Sequence, residues 1–140
     1  MRFYSAKSTF VSIVIGAAVA LMFLQVYIVI DKGGPKLLLL VFATVCTLLL
    51  WMWFATYYDV EDNLLYYRSG PINGKIDINT IRKIEVGKTQ YVGLKPALAS
   101  KGCVVHYNKY DDIYLSPKDK DGFIAALLKV NPTIEVVANK

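Results

Sequence analysis

The chain has few of the residues on which most enzyme and metal sites depend. Among 140 residues there are one histidine and two cysteines, and charged residues make up only 19%. The two cysteines form no CxxC pair, so no cluster has metal-ligand spacing. GxSxG, P-loop, GxGxxG and HExxH motifs are also missing. The sequence therefore predicts that the protein is not an enzyme and has no cofactor or metal site.

The remaining candidates for chemistry have plainer explanations. Asp111 and Asp112 are adjacent, so on a strand they would point to opposite faces, and their surroundings are typical of a tight turn. His106 alternates with apolar neighbours and has no acidic or nucleophilic partner motif, which favours an ordinary strand residue. Cys103 is expected to pack as a small hydrophobic residue.

A strong basic excess is missing from the second half of the chain. The net charge is +5, but residues 59–140 contain 12 basic and 10 acidic side chains. A domain that binds duplex DNA or RNA usually has a clear positive patch. We therefore do not expect nucleic acid as a partner.

Long apolar runs, by contrast, are abundant. Residues 8–30 and 37–58 carry no charge, and as helices each would span the roughly 30 Å hydrocarbon core of a bilayer. Ala18-Val19-Ala20 resembles a signal-peptide cleavage site, but the apolar run continues to Ile30 and is longer than a signal sequence requires. The sequence predicts two retained membrane spans, with the lipid bilayer as a partner.

The link between the runs, Asp31–Lys36, contains Gly-Gly-Pro, which ends one helix and admits the next. A link this short joins antiparallel helices, so both flanks lie on one side of the membrane. Arg2 and Lys7 precede the hairpin, and Arg68 and Lys75 follow it. By the positive-inside rule, we expect a multi-pass cell-membrane protein with both termini in the cytoplasm.

Small residues recur every four positions on both runs. Ser12, Gly16 and Ala20 form one stripe, and Ala43 and Thr47 form the other. Small side chains permit close helix packing in lipid. The stripes could pack on each other or on a second copy, which would give a homo-oligomer, or they could be chance spacing in an Ala-rich helix.

After residue 58 the hydrophobic period changes to that of strands. About six short antiparallel strands are expected, followed by one amphipathic helix. Its apolar stripe consists of Phe123, Ile124, Leu127 and Leu128. Ser116-Pro117-Lys118-Asp119 predicts the start of that helix, with Ser116 as the N-cap and Pro117 at the first helical position. The fold class is α+β: a transmembrane helical hairpin, then an antiparallel sheet or barrel with one C-terminal helix.

Three stretches of the second half resemble the small bacterial pleckstrin-homology (PH)-like membrane proteins. They are LLYYRSGPINGKIDINTIRK at 64–83, PALAS at 96–100 and IYLSPKDKDGF at 113–123. The resemblance covers nearly the whole chain and implies a membrane hairpin at residues 1–58 and a PH-like domain at residues 59–140. Family members often carry an arginine-containing segment after the second stretch. Here Lys101-Gly102-Cys103 stands in its place, so no role of that arginine is transferred.

The resemblance also implies a function. It indicates a binding or scaffold module at the inner face of the bacterial membrane that contacts lipid headgroups or a membrane protein. The layout is similar, too, to a membrane-bound immunity protein, so the alternative is bacteriocin self-immunity or envelope-stress protection of a membrane target. A phosphoinositide site of the eukaryotic PH type is not expected, because the first hairpin turn, Asp59–Asp62, is acidic.

The loop at residues 87–102 is the candidate contact surface for lipid or a partner. It has no acidic residue, and its candidate contacts are Lys88, Tyr91, Leu94, Lys95 and Lys101. Loops this long in small domains are often functional, and lysines can meet anionic headgroups while apolar groups enter the interface. The alternative is that Tyr91, Leu94 and Leu98 pack on the sheet.

Overall fold

The two apolar runs form a helical hairpin. In the computed structural model, which describes residues 1–88 and 97–138, α1 spans Thr9–Lys32 and α2 spans Lys36–Phe54. Both are long and apolar enough to cross a membrane. Gly33 ends α1 with φ of +67°, and its amide donates to the Val29 carbonyl oxygen over 3.0 Å. Glycine adopts this left-handed conformation easily, as the Gly-Gly-Pro link predicted.

The helix interface does not use the small-residue stripes. Cys46 of α2 is buried, and its thiol donates to the carbonyl oxygen of Ala18 over 3.6 Å. A Cβ atom placed on Gly16 would meet no atom within 4 Å. The stripe residues all lie on exposed helix faces: Ser12, Gly16, Ala20, Ala43 and Thr47. Of the three alternatives, packing of the stripes on each other is therefore wrong, and association with a second copy and chance spacing both stay as predictions.

The rest of the described chain forms two four-stranded sheets and a third helix. The elements are β1 Arg2–Tyr4, β2 Thr56–Glu61, β3 Leu64–Ser69, β4 Ile72–Asp77, a 3-10 helix Ile78–Thr80, β5 Ile81–Lys88, β6 Gly102–Tyr107, β7 Asp111–Leu115, α3 Lys120–Val130 and β8 Glu135–Ala138. One sheet has the order β1-β2-β3-β4 and the other β7-β6-β5-β8. Neighbouring strands are antiparallel, except that β8 runs parallel to β5. The α+β class is confirmed.

The chain before α1 belongs to the sheet, which the sequence did not predict. Arg2 of β1 lies opposite Asp59 of β2. Ser5 then forms a bridge with Pro117, and the Ala6 amide donates to the Ser116 carbonyl oxygen over 2.6 Å. The segment thus lies between β2 and the end of β7 and joins the two sheets into a barrel.

The position of β2 places the end of the second apolar helix earlier than the sequence predicted. The α2 helix ends at Phe54 and β2 starts at Thr56, so the span does not continue to Tyr58 and a division between residues 58 and 59 cuts through a strand. Thr56 and Tyr58 are buried, because they point into the barrel. Tyr58, the last residue of the predicted second span, is therefore part of the barrel core.

The third helix closes the barrel core with its apolar face. Phe123 and Leu127 are fully buried. The Phe123 ring meets the Phe3 ring edge-on, with centroids 5.5 Å apart, and lies 6.0 Å from the Tyr58 ring. The predicted apolar stripe is confirmed at these two positions, while Ile124 and Leu128 are half-buried. One partner of the stripe, Phe3, comes from the strand that precedes the helical hairpin.

The start of α3 differs from the prediction. The helix begins at Lys120, and the carboxylate of Asp119 caps it by accepting a hydrogen bond from the Gly122 amide over 3.0 Å. Ser116 as N-cap is therefore wrong. Residues 116–118 stay outside the helix, so Pro117 is not its first residue, because they pair with the N-terminal segment, where the Lys118 amide donates to the Tyr4 carbonyl oxygen over 2.9 Å.

Candidate functional site

The barrel stands directly on one end of the helical hairpin. Strand β1 precedes α1 and β2 follows α2 after one residue, and these two strands pair with each other. We call the end of the barrel beside the helices the proximal end (residues 4–8, 68–72, 88, 97–102 and 116–121). The opposite, distal end comprises residues 61–63, 77–82, 108–112 and 129–131. Their positions follow from the strand directions and from the pairing of Ser8 with Leu98 and of Thr80 with Asn108.

A glycine fixes the turn between β3 and β4 against the second helix. Gly70 has φ of +58°, and its amide donates to the Ala55 carbonyl oxygen over 3.2 Å. A Cβ atom there would lie 2.7 Å from Cγ of Met52, and both the backbone conformation and the contact favour glycine. The RSGP motif therefore packs the barrel directly onto α2.

A buried cluster of hydroxyl groups holds the N-terminal segment at the proximal end. The Tyr58 hydroxyl donates to Oγ of Ser5 over 3.4 Å and accepts from the Ser116 amide over 3.1 Å. The Leu98 amide also donates to Oγ of Ser5, over 3.3 Å. Burial raises the pKa of Tyr58, so its phenol remains a neutral donor. Four segments distant in sequence meet at this cluster.

The topology separates charge between the two ends of the barrel. At the proximal end, the described basic residues are Lys7, Arg68, Lys88, Lys101, Lys118 and Lys120, and the acidic ones are Asp119 and Asp121. At the distal end, the acidic residues are Glu61, Asp62, Asp77, Asp111 and Asp112, and the basic ones are Arg82, Lys109 and Lys129. A nearly neutral domain therefore presents its basic end to the helices. Sequence reasoning missed this, because only the strand directions show which turns share an end.

Lys88, the first of the predicted contact residues, is engaged with an acidic side chain. Its ammonium group lies 2.7 Å from Oε2 of Glu85, and that of Lys83 lies 3.0 Å from Oε1. His106 faces the same carboxylate at 3.7 Å. Hydrogen bonds from Lys88 and then Lys83 lower the pKa of Glu85 to about 2. The charge of Lys88 is therefore largely neutralised by Glu85 within the sheet.

The other predicted contacts have different outcomes. Lys101 is exposed at the proximal end, and its carbonyl oxygen accepts a hydrogen bond from the Lys120 ammonium over 2.5 Å. Tyr91, Leu94 and Lys95 lie outside the described residues. Leu98 is only 9% exposed, so for this residue the packing alternative is confirmed.

The residues first considered for chemistry lie in ordinary sheet positions. His106 is in β6, and Asp111 and Asp112 begin β7. The Asp111 carboxylate accepts a hydrogen bond from the Asn108 side-chain amide over 2.8 Å, across the turn. Cys103 is fully buried, and burial raises its pKa to about 11. A thiol in this environment stays protonated and unreactive.

A groove runs along the outer face of the first sheet. The groove is open to solvent and has a volume of about 640 Å³. It is lined by Arg2, Tyr57, Asp59, Glu61, Tyr66, Tyr67, Arg68, Asn73, Gly74 and Lys75. The Arg2 guanidinium donates to Asp59 over 3.1 and 3.2 Å and lies 4.7 Å from the centre of the Tyr57 ring. Sequence reasoning missed the groove, although Tyr66 and Arg68 already alternate with the buried Leu65.

The comparison with protein families agrees with this geometry. The family described as Bacterial PH domain matches residues 56–131, which is more than half of the chain. The chain therefore belongs to the bacterial PH domain family, as a membrane-associated PH-like module with two apolar helices before it. The match starts at the first residue of β2, so β1 lies outside it. No curated protein and no solved structure matches the chain.

Proposed function

We propose that this protein is a membrane-anchored binding or scaffold module at the inner face of the bacterial membrane. Its barrel contacts anionic lipid headgroups or a membrane protein there. The observation that carries the proposal is the basic proximal end beside the helices. Near an anionic leaflet, each lysine or arginine contributes about 1 kcal/mol to attraction. The acidic distal end would face away from the lipid.

Contacts at the base of the helices support this placement. The Lys7 ammonium lies 4.7 Å from the centre of the Trp53 ring and 5.1 Å from that of Phe54. Tryptophan favours the headgroup level of a bilayer, and a lysine stacked beside it reaches the phosphates. The packing of Gly70 on Met52 leaves no linker through which the barrel could move away.

Two variants with equal charge loss test the proposal. The full chain is placed in nanodiscs of mixed phosphatidylglycerol and phosphatidylcholine, and enrichment of the anionic lipid is measured by quenching of tryptophan fluorescence with spin-labelled lipid. Lys101→Gln/Lys118→Gln at the proximal end should weaken the preference about tenfold or more. Lys109→Gln/Lys129→Gln at the distal end is the matched control and should leave it unchanged.

The opposite pattern would contradict lipid contact. If the proximal and distal variants behaved alike, a membrane protein would be the better partner. Photo-crosslinking from position 118 in native membranes, followed by purification in detergent, would then capture it. Crosslinks from position 110 at the distal end serve as the control for random capture.

The second candidate function is protection of a membrane target, as a bacteriocin self-immunity or envelope-stress protein. The same basic end, held against the lipid, could cover such a target. Expression of the chain in bacteriocin-sensitive cells should then raise survival in a killing assay. Equal killing with and without the protein, together with no toxin or exporter gene beside its own, would exclude self-immunity.

A further inference from the structure

Two cations on the outer face of the first sheet have no acidic partner in the described part of the chain. Arg68 of β3 and Lys75 of β4 take part in none of the ion pairs there. Arg68 is opposite Asn73 in the β3–β4 register, so Lys75 is its diagonal neighbour on the same face, at a typical distance of about 7 Å. The two charges are therefore close enough to share one anion.

The acidic residues of the groove do not neutralise this pair. Asp59 accepts both hydrogen bonds of the Arg2 guanidinium. Glu61 lies at the distal end of β2, opposite Leu64. The proximal part of the groove, around Arg68, is thus positively charged.

The neighbouring side chains suit a phosphate. Tyr57 is opposite Arg68, and Tyr66 is opposite Lys75, so a phenol flanks each cation. The Arg guanidinium binds two phosphate oxygens at once, and the Lys ammonium adds a point charge. A volume of about 640 Å³ falls within the usual range of ligand sites, roughly 300–1,000 Å³.

The position of the groove indicates where the phosphate comes from. Tyr57 is three residues beyond Phe54, the last residue of α2, which is about 10 Å of extended chain. The headgroup layer on each side of a bilayer is about 5–8 Å thick. With the end of α2 at the hydrocarbon edge, this length sets the maximum height of Arg68, beside Tyr57, only slightly above the headgroup layer.

We propose that this groove binds the phosphate of an anionic glycerophospholipid from the surrounding leaflet, with Arg68 and Lys75 holding it between Tyr57 and Tyr66. The proposal rests on the proposed function, because it needs the barrel at the membrane surface. It adds a specific site on the face of β3 and β4, separate from the lysines of the proximal loops.

Lipid titration of the full chain in neutral detergent tests the site. Native mass spectrometry counts bound short-chain phosphatidylglycerol, with phosphatidylcholine and the soluble glycerol 3-phosphate as comparison ligands. The wild type should bind phosphatidylglycerol at least tenfold more tightly than phosphatidylcholine. Arg68→Gln/Lys75→Gln should weaken phosphatidylglycerol binding about 30-fold, whereas Lys109→Gln/Lys129→Gln should not change it.

A charge-preserving variant is the control for loss of binding through misfolding. Arg68→Lys/Lys75→Arg keeps both charges and should retain most of the binding, and thermal unfolding shows whether each variant folds.

If Arg68→Gln/Lys75→Gln bound phosphatidylglycerol like the wild type while Lys101→Gln/Lys118→Gln lost it, the groove would be wrong and the proposed function would stand. A wild type without preference for the anionic lipid would overturn both. Glycerol 3-phosphate binding as tight as that of the lipid would make the ligand a soluble phosphate ester and overturn the lipid assignment.

Discussion

The hydroxyl oxygens of Ser5 and Ser116 lie 2.9 Å apart, although 111 residues separate them in sequence. This contact joins the chain before the first apolar helix to the chain after the last antiparallel strand. Tyr58, which follows the second helix, bonds to both residues. The barrel is therefore built from both flanks of the hairpin, and it can close only when those flanks lie at the same end of the two helices.

Removal of these hydroxyls should destabilise the barrel. Ser5→Ala and Ser116→Ala each delete a buried hydrogen-bonding group, and each should lower the free energy of unfolding by about 1–2 kcal/mol. Chemical unfolding of the full chain in detergent measures this. The double variant should cost less than the sum of the two. Ser100→Ala, at an exposed position, is the control and should be neutral. Strict additivity would mean that the two hydroxyls do not interact.

Phe123 should be the most sensitive position of α3. Its ring is fully buried against Phe3 and Tyr58, so Phe123→Ala should cost about 3–5 kcal/mol of unfolding free energy. Lys129→Ala lies on the exposed face of the same helix and should change stability little. A neutral Phe123→Ala would show that the ring does not fill the core.

Protonation of the Glu85 carboxylate should make the stability of the folded chain depend on pH in the acidic range. Lys88 and Lys83 lower its pKa from an ordinary 4.5 to about 2 in the folded chain. A depressed carboxyl pKa stabilises the folded state above pH 4.5, and this contribution is lost as the pH falls from about 4.5 to about 2. Unfolding midpoints of the wild type should therefore fall more steeply across that window than those of Glu85→Gln. Parallel curves would show that the ion pairs do not form in solution.

The orientation of the barrel can be tested by cysteine labelling in intact cells. Tyr110 is 84% exposed at the distal end, and Lys32 is at the hairpin link. In a background with Cys46→Ala and Cys103→Ala, we expect an impermeant thiol reagent to label Lys32→Cys from outside. Tyr110→Cys should react only after the cells are opened. The reverse pattern would place the barrel outside the cell.

Several features could be predicted from the sequence because their signals are local. Two uncharged runs predict the helices, and the Gly-Gly-Pro link predicts where α1 ends. Period-2 alternation indicates the strands, and the spacing of Phe123 and Leu127 indicates the buried face of α3. In each case, the preference for helix or strand depends on residues that are close together in sequence, within one or two helical turns or a few strand positions.

The sequence by itself determined the α+β class, the hairpin and the PH-like architecture. Only the tertiary structure decided that β1 closes the barrel, that Ser116 is buried instead of capping a helix, and that basic and acidic turns lie at opposite ends. A three-residue strand is too short to show a period, and a Ser-Pro-Lys-Asp stretch suits both a cap and an extended bridge. The choice between them depends on pairing with residues more than a hundred positions away. Strand register sets this long-range pairing, and it also sets which side chains line the groove on the first sheet. A local sequence pattern does not specify that register.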